Sequence, residues 1–120
     1  MEKKNPALDK SFDFAKKIVF LYKDITTKHK EYVLSKQILR SGTSVGANIS
    51  EANGAISEAD FSNKISIAYK ECLETKYWLK LLKETNYINE SIFNPLFENA
   101  DELGKILFSI LKKTRINKKQ

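Results

Sequence analysis

Apolar residues along this chain recur every three or four positions in four separate stretches, the spacing of one face of an α-helix. In the first stretch Phe14, Ile18, Leu21 and Ile25 share a stripe that Ala15 and Tyr22 widen, while Lys16, Lys17 and Lys23 lie off it. Asn5 and Pro6 supply a cap and a first helical residue: an Asn side chain satisfies an orphan amide, and proline lacks an amide that would be orphaned there. The pattern predicts a helix over about 6–26, then a polar connector from Thr26 to Lys30 that holds the single histidine, His29.

The second stretch sets two rules against each other. Leu34, Ile38, Ser41, Val45, Asn48, Ala52 and Ile56 alternate four and three apart, the seam of a bundle. The same segment contains Gly42, Gly46 and Gly54, each costing a helix roughly 1 kcal/mol relative to alanine. A structureless loop of that length is rare inside a small domain. The register therefore predicts a helix over about 33–55, with Gly42, Gly46 and Ser50 on one face as a site of close helix approach.

Helix three is the clearest. Ser57 caps it with Glu58 and Asp60 in the first turn, and Phe61, Ile65, Ala68, Cys72, Thr75, Leu79 and Leu82 hold the alternation to about residue 84. A connector with Tyr87 and Ile88 tucked inward leads to a fourth helix over about 94–114. Ser91 or Asn94 would cap it, Pro95 would sit in its first turn, and Leu96, Ala100, Leu103, Leu107 and Ile110 would form its core face. The basic tail after Thr114 is expected to fray. The fold class that follows is all-α: one domain over 1–120, an antiparallel up-down-up-down four-helix bundle.

Composition agrees with that picture. A chain of 120 residues with 42% hydrophobic and 30% charged residues suits one domain with a real core, and four glycines and two prolines favour long regular elements. The N-terminus has no apolar signal core, and the longest apolar run, Ile18 to Tyr22, is too short to span a bilayer, so a cytoplasmic protein with no membrane partner is expected.

Charge is uneven: residues 1–40 carry +5, residues 41–90 carry −2 and residues 91–120 carry +3. In the expected topology the start of helix one approaches the end of helix four, which would gather Lys10, Lys16, Lys17, Lys112, Lys113 and Arg115 at one pole, the candidate nucleic-acid contacts. Nineteen of the 21 basic residues are lysine, so such contacts would fall on phosphates rather than base edges.

Catalytic chemistry finds no support. His29 has no partner base or nucleophile, and Cys72 falls on the core seam as a small buried hydrophobe. The glycines of helix two lack the Gly-Lys-Ser/Thr ending of a phosphate loop, and the sequon-like Asn48-Ile49-Ser50 and Asn89-Glu90-Ser91 mean nothing without secretion. Glu71 and Glu74 are spaced for one helix face, but no histidine accompanies them as a di-metal site requires, so neither metal nor cofactor is expected. Their expected role is a polar network joining helices two and three, built from Arg40, Ser41, Ser44, Asn48, Glu51, Glu71 and Glu74.

The stretches Gln37-Ile38-Leu39-Arg40-Ser41 and Ser44-Val45-Gly46-Ala47-Asn48-Ile49-Ser50-Glu51-Ala52, with Phe61 and Ala68 to Leu82, resemble the 23S rRNA-intervening-sequence (S23-type) protein family. The resemblance implies a bacterial four-helix bundle that forms a ring-shaped homopentamer. Relatives of the fold act as accessory proteins of diversity-generating retroelements, binding nucleic acid and a reverse transcriptase. Two function classes follow: a non-catalytic, RNA-associated adaptor working through basic patches on an oligomer, or a protein-interaction scaffold using exposed aromatics such as Tyr69, Tyr77 and Trp78. An enzyme is the weakest class, because no residue nominates a substrate.

Overall fold

The computed structural model describes the backbone of residues 5–119 and the side chains of residues 5–114. Four helices carry the chain: α1 (Pro6–His29), α2 (Leu34–Asn53), α3 (Glu58–Glu84) and α4 (Glu90–Lys119). Each packs on the next in sequence and α4 closes back on α1, more sparsely than the other neighbours meet, while among the described residues the diagonal pairs make no close backbone approach. The result is an all-α, antiparallel up-down-up-down four-helix bundle measuring 51 × 29 × 22 Å.

The periodic stripes become the core. Phe14, Ile18, Leu21 and Ile25 of α1 are buried, as are Ile65, Ala68, Cys72, Thr75, Leu79 and Leu82 of α3. Each large aliphatic side chain withdrawn from water in this way contributes about 1.5–3 kcal/mol. In α2 the stripe holds through Val45, but Ile49 rather than Asn48 takes the next core position. Ile56 lies beyond the helix and is 94% exposed, because α2 stops at Asn53 and the chain turns before reaching it. In α4 Leu111 is buried and Ile110 only partly so.

Gly42 and Gly46 lie on the α2 face that meets α1. A β-carbon on Gly42 would come within 2.8 Å of Ile18 Cγ1, and one on Gly46 within 3.3 Å of the Ser11 carbonyl oxygen. Close approach of the two helices thus offsets the poor helix propensity of the segment.

Helix ends follow local chemistry. Asn5 Oδ1 accepts from the Leu8 amide at 3.0 Å, and Ser57 Oγ accepts from the Asp60 amide at 3.0 Å. α1 runs on to His29, three residues past its expected end, and closes on Lys30 in the left-handed region (φ 51°). Asn86 adopts φ 68° after α3, and the Tyr87 amide returns to the Leu82 carbonyl at 2.9 Å, a Schellman-type stop.

The start of α4 differs from the expected residue 94. Neither Ser91 nor Asn94 is the cap; Asn89 Oδ1 accepts from the Ile92 amide at 3.1 Å, and the helix begins at Glu90. Pro95 therefore sits inside the helix. Burial of Ile88 and Phe93 draws the extra turn onto the bundle, and the Ser91 carbonyl that proline leaves without a helical donor belongs to an exposed residue. At its other end α4 continues to Lys119 instead of fraying after Thr114.

Candidate functional site

The polar network of α2 and α3 is built on antiparallel register. Arg40, near the start of α2, reaches across to α3: its Nη1 donates to Glu71 Oε2 at 3.0 Å, and its Nη2 donates to Glu74 Oε2. The same Glu74 oxygen accepts from Trp78 Nε1 at 3.0 Å. Partial burial works against the Arg40 charge, but Glu71 and Glu74 outweigh it and hold the guanidinium more firmly protonated than usual. One planar fork thus bridges two carboxylates one turn apart, a geometry that an ammonium group does not reproduce.

Beneath this clamp lies a buried hydroxyl pair. Thr75 Oγ1 and Ser41 Oγ are 2.9 Å apart, and Thr75 Oγ1 also lies 2.8 Å from the Glu71 carbonyl. Both residues are fully buried. A threonine has one hydrogen to give, so donation from Thr75 to the carbonyl and from Ser41 to Thr75 uses both hydrogens. Among the described residues no buried side-chain polar atom lacks a partner.

Of the seven expected network residues, Arg40, Ser41, Glu71 and Glu74 meet in this way. Ser44 and Asn48 do not join Glu71 or Glu74: Asn48 Nδ2 donates to the Ser44 carbonyl at 2.9 Å, inside α2. Glu51 pairs with Lys64 at 3.0 Å. The reason is register, because antiparallel helices that set Arg40 against Glu74 must set Glu51 against Lys64, ten residues and about 15 Å away along α3. Lys64 was not singled out from the sequence, and Thr75 and Trp78 were named there as a seam position and an exposed aromatic, not as members of the network. Thr75 stood on the seam, where its hydroxyl was the available signal.

The basic residues expected at one pole are dispersed. Lys10 pairs with Glu102, Lys17 lies 3.3 Å from Asp13 Oδ2 and 3.1 Å from Asn99 Oδ1, and Lys16 lies 4.0 Å from Asp13 Oδ1. With Lys10 opposite Glu102, Lys112 and Lys113 stand about 15 Å further along α4. Lys112 lies 5.8 Å from the Phe108 ring centroid, and neither it nor Lys113 makes an ion pair among the described residues. The side chain of Arg115 lies outside the described residues.

Two apolar surfaces remain in water on opposite edges of the bundle. On the α1/α2 edge Phe12 is 64% exposed, and Phe20, two turns further along α1, is 65% exposed. Phe12 borders a groove of about 650 Å³ floored by Ala15, Gly46 and Ala47. On the α3/α4 edge Leu73, Tyr77 and Phe108 are exposed, and Tyr69 packs on Phe108 with ring centroids 5.8 Å apart. Trp78 is half-buried against Tyr77.

Groups able to serve chemistry are placed elsewhere. Cys72 is buried, its sulfur 2.9 Å from the Ala100 carbonyl, and desolvation pushes the thiol up to about 11. His29 ends α1 and meets Tyr87 edge-on at 5.4 Å. Among the described residues no group of His, Cys, Asp and Glu is arranged to hold a metal ion, and no helix is long and apolar enough to cross a membrane.

A single antiparallel helical bundle, clamped across its second and third helices and bearing unlike apolar faces on opposite edges, is the class of protein these features define. The chain belongs to the 23S rRNA-intervening sequence protein family, whose model matches residues 3–109. It is also similar to a crystallised protein of unknown function from the S23 ribosomal protein family of Bacteroides thetaiotaomicron VPI-5482. The identity is 53%, the match covers 88% of this chain and 98% of that one, and the TM-score is 0.87. No curated protein matches the chain.

Proposed function

We propose that this protein is a non-enzymatic adaptor that joins copies of itself into a closed ring and holds RNA by its phosphate backbone. The observation that carries the reading is the pair of unlike apolar faces on opposite edges, one with Phe12 beside a groove, the other with Leu73, Tyr77 and Phe108. Exposed apolar patches mark contact surfaces. When one face of a subunit fits a different face of the next, the contact is head-to-tail, and it closes into a ring where the rotation permits. Five subunits is the number the family resemblance implies.

The RNA component is supported by a formal net charge of +6 and by lysines such as Lys112 and Lys113 that have no carboxylate partner among the described residues. Repetition of a basic surface around a ring multiplies weak phosphate contacts into avidity. The test is light scattering for mass in solution together with RNA binding over a salt series. A ring-sized species whose RNA affinity falls steeply with salt is expected. A strict monomer, or binding that is absent near physiological salt or indifferent to salt, counts against the reading.

A second reading is a protein-interaction scaffold or accessory subunit, for example of a reverse transcriptase, without direct RNA recognition. Tyr77, at 58% exposure the most accessible aromatic of the α3/α4 face, favours it. Recovery of a stoichiometric protein partner after nuclease treatment, with no RNA affinity of the purified ring, would select it.

A further inference from the structure

Below the apolar patch on the α3/α4 edge, Lys76, Lys80 and Lys83 project from one side of α3 over two rings of α4. Lys76 Nζ lies 5.0 Å and Lys80 Nζ 5.4 Å from the Phe97 centroid, and Lys83 Nζ lies 4.4 Å from that of Phe93. The two rings are stacked, with centroids 5.0 Å apart and an interplanar angle of 27°. Four- and three-residue steps along α3 separate the row by roughly 6 and 4.5 Å of helix rise. That spacing is comparable with the distance between successive phosphates of a polynucleotide strand.

The row differs from the other lysines in gathering three ammonium groups over one stacked pair of rings, where Lys23 and Lys112 each lie singly near one ring at 5.9 and 5.8 Å. Lys10 and Lys17 meet carboxylates of their own bundle, which offset their charge, and Lys16 lies 4.0 Å from Asp13. Lys80 has no carboxylate within ion-pair distance among the described residues, Lys83 has only the adjoining Glu84 at 4.0 Å, and Lys76 shares Asp101 with Lys105. The rings fix Lys80 and Lys83 without cancelling their charge, since a π face attracts a cation but carries no net charge, whereas Lys76 is partly offset by Asp101 at 2.8 Å. Side chains already seated on a ring lose less rotamer freedom when a phosphate arrives.

We infer that Lys76, Lys80 and Lys83, seated on Phe93 and Phe97, form the strip that tracks the phosphodiester backbone of RNA. This rests on the RNA-binding reading above and moves its contact from the α1/α4 pole to the α3/α4 edge. Lys76 also lines a shallow groove of about 300 Å³ with Tyr69, Leu73 and Phe108, so in a ring the strip borders each subunit contact. Bases are not read there, because Phe93 is buried and both rings lie under lysines rather than open to stacking.

The test uses the full chain and a short fluorescent RNA hairpin, with anisotropy recorded at roughly 50–200 mM salt. K80Q/K83Q is compared with K28Q/K36Q, which removes the same charge from exposed positions elsewhere; circular dichroism checks that both fold. The expected result is a roughly tenfold loss of affinity for K80Q/K83Q and a salt slope lowered by about two, with K28Q/K36Q near wild type. F97L, which keeps an apolar side chain but removes the ring, is expected to lose roughly half a log unit of affinity. Equal weakening by both double variants would assign the effect to net charge and overturn the strip. Loss in K112Q/K113Q with none in K80Q/K83Q would overturn the strip while leaving RNA binding intact. A wild-type protein that binds no RNA would overturn both, and equal affinity for polyglutamate would replace the nucleic acid with an acidic protein segment.

Discussion

Gly42 faces Ile18 so closely that a β-carbon on the glycine would lie 2.8 Å from Ile18 Cγ1 and 2.9 Å from Cγ2. Ile18 is fully buried and β-branched, so neither carbon can swing aside without disturbing the core. Gly42→Ala gains about 1 kcal/mol of helix propensity and introduces a strain of about 1–3 kcal/mol, for a net loss of stability. Gly54→Ala places its β-carbon no nearer than 3.7 Å to a neighbour and is expected to be neutral or slightly stabilising. Urea denaturation of the two variants checks the contrast, and a stabilised Gly42→Ala would contradict the close approach of α1 and α2.

The buried hydroxyl pair gives a second prediction. Thr75→Val leaves buried Ser41 with only its longer contact to the Ile38 carbonyl at 3.4 Å and is expected to cost about 1–2 kcal/mol. Removing both hydroxyls, as Ser41→Ala with Thr75→Val, is expected to cost less than the sum of the single changes. A double-mutant cycle measures the coupling; strict additivity would mean that the bond between α2 and α3 contributes nothing.

Arg40 is expected to behave as a fork rather than as a charge. Arg40→Lys keeps the charge but cannot serve Glu71 and Glu74 together, so it should lose most of what Arg40→Ala loses, about 1 kcal/mol given the half-exposed guanidinium. Thermal unfolding in low and high salt tests this. Full rescue by lysine would reduce the clamp to simple charge pairing.

Glu31 supplies a pH dependence. Burial opposes ionisation of its carboxyl, yet bonds from the Leu34, Ser35 and Val33 amides outweigh burial and hold the carboxyl below its ordinary value. These bonds measure 2.8, 2.9 and 2.9 Å, and they stand in for a cap residue at the start of α2. A carboxyl lowered in the folded state stabilises the fold above the unfolded pKa of about 4.3, and that stabilisation is lost as pH falls through the folded value. Glu31→Gln should therefore cost about 1 kcal/mol at pH 7, and the gap from wild type should narrow below about pH 4. Denaturation curves at pH 7 and pH 3 read the difference. A gap independent of pH would exclude the charged cap.

The four helices were legible in the sequence because each shows apolar spacing, reinforced in α1 and α3 by an Asn or Ser cap and acidic residues in the first turn. The α3 seam from Ile65 to Leu82 is buried as the alternation requires. The small-residue face of α2 was legible for the same reason, since Gly42 and Gly46 stand four apart and point one way. Where local rules competed with burial, they lost: Pro95 suited a first turn, but Ile88 and Phe93 drew α4 back to Glu90. Pairing across helices was not written in any one stretch. Which residues Arg40, Glu51 and Lys10 meet depends on axial register, and the packing of the whole bundle sets that register. The seating of Lys76, Lys80 and Lys83 on Phe93 and Phe97 was decided in the same way. A lysine's neighbours on its own helix are fixed by spacing, but the ring beneath it belongs to another helix, and only the tertiary structure brings the two together.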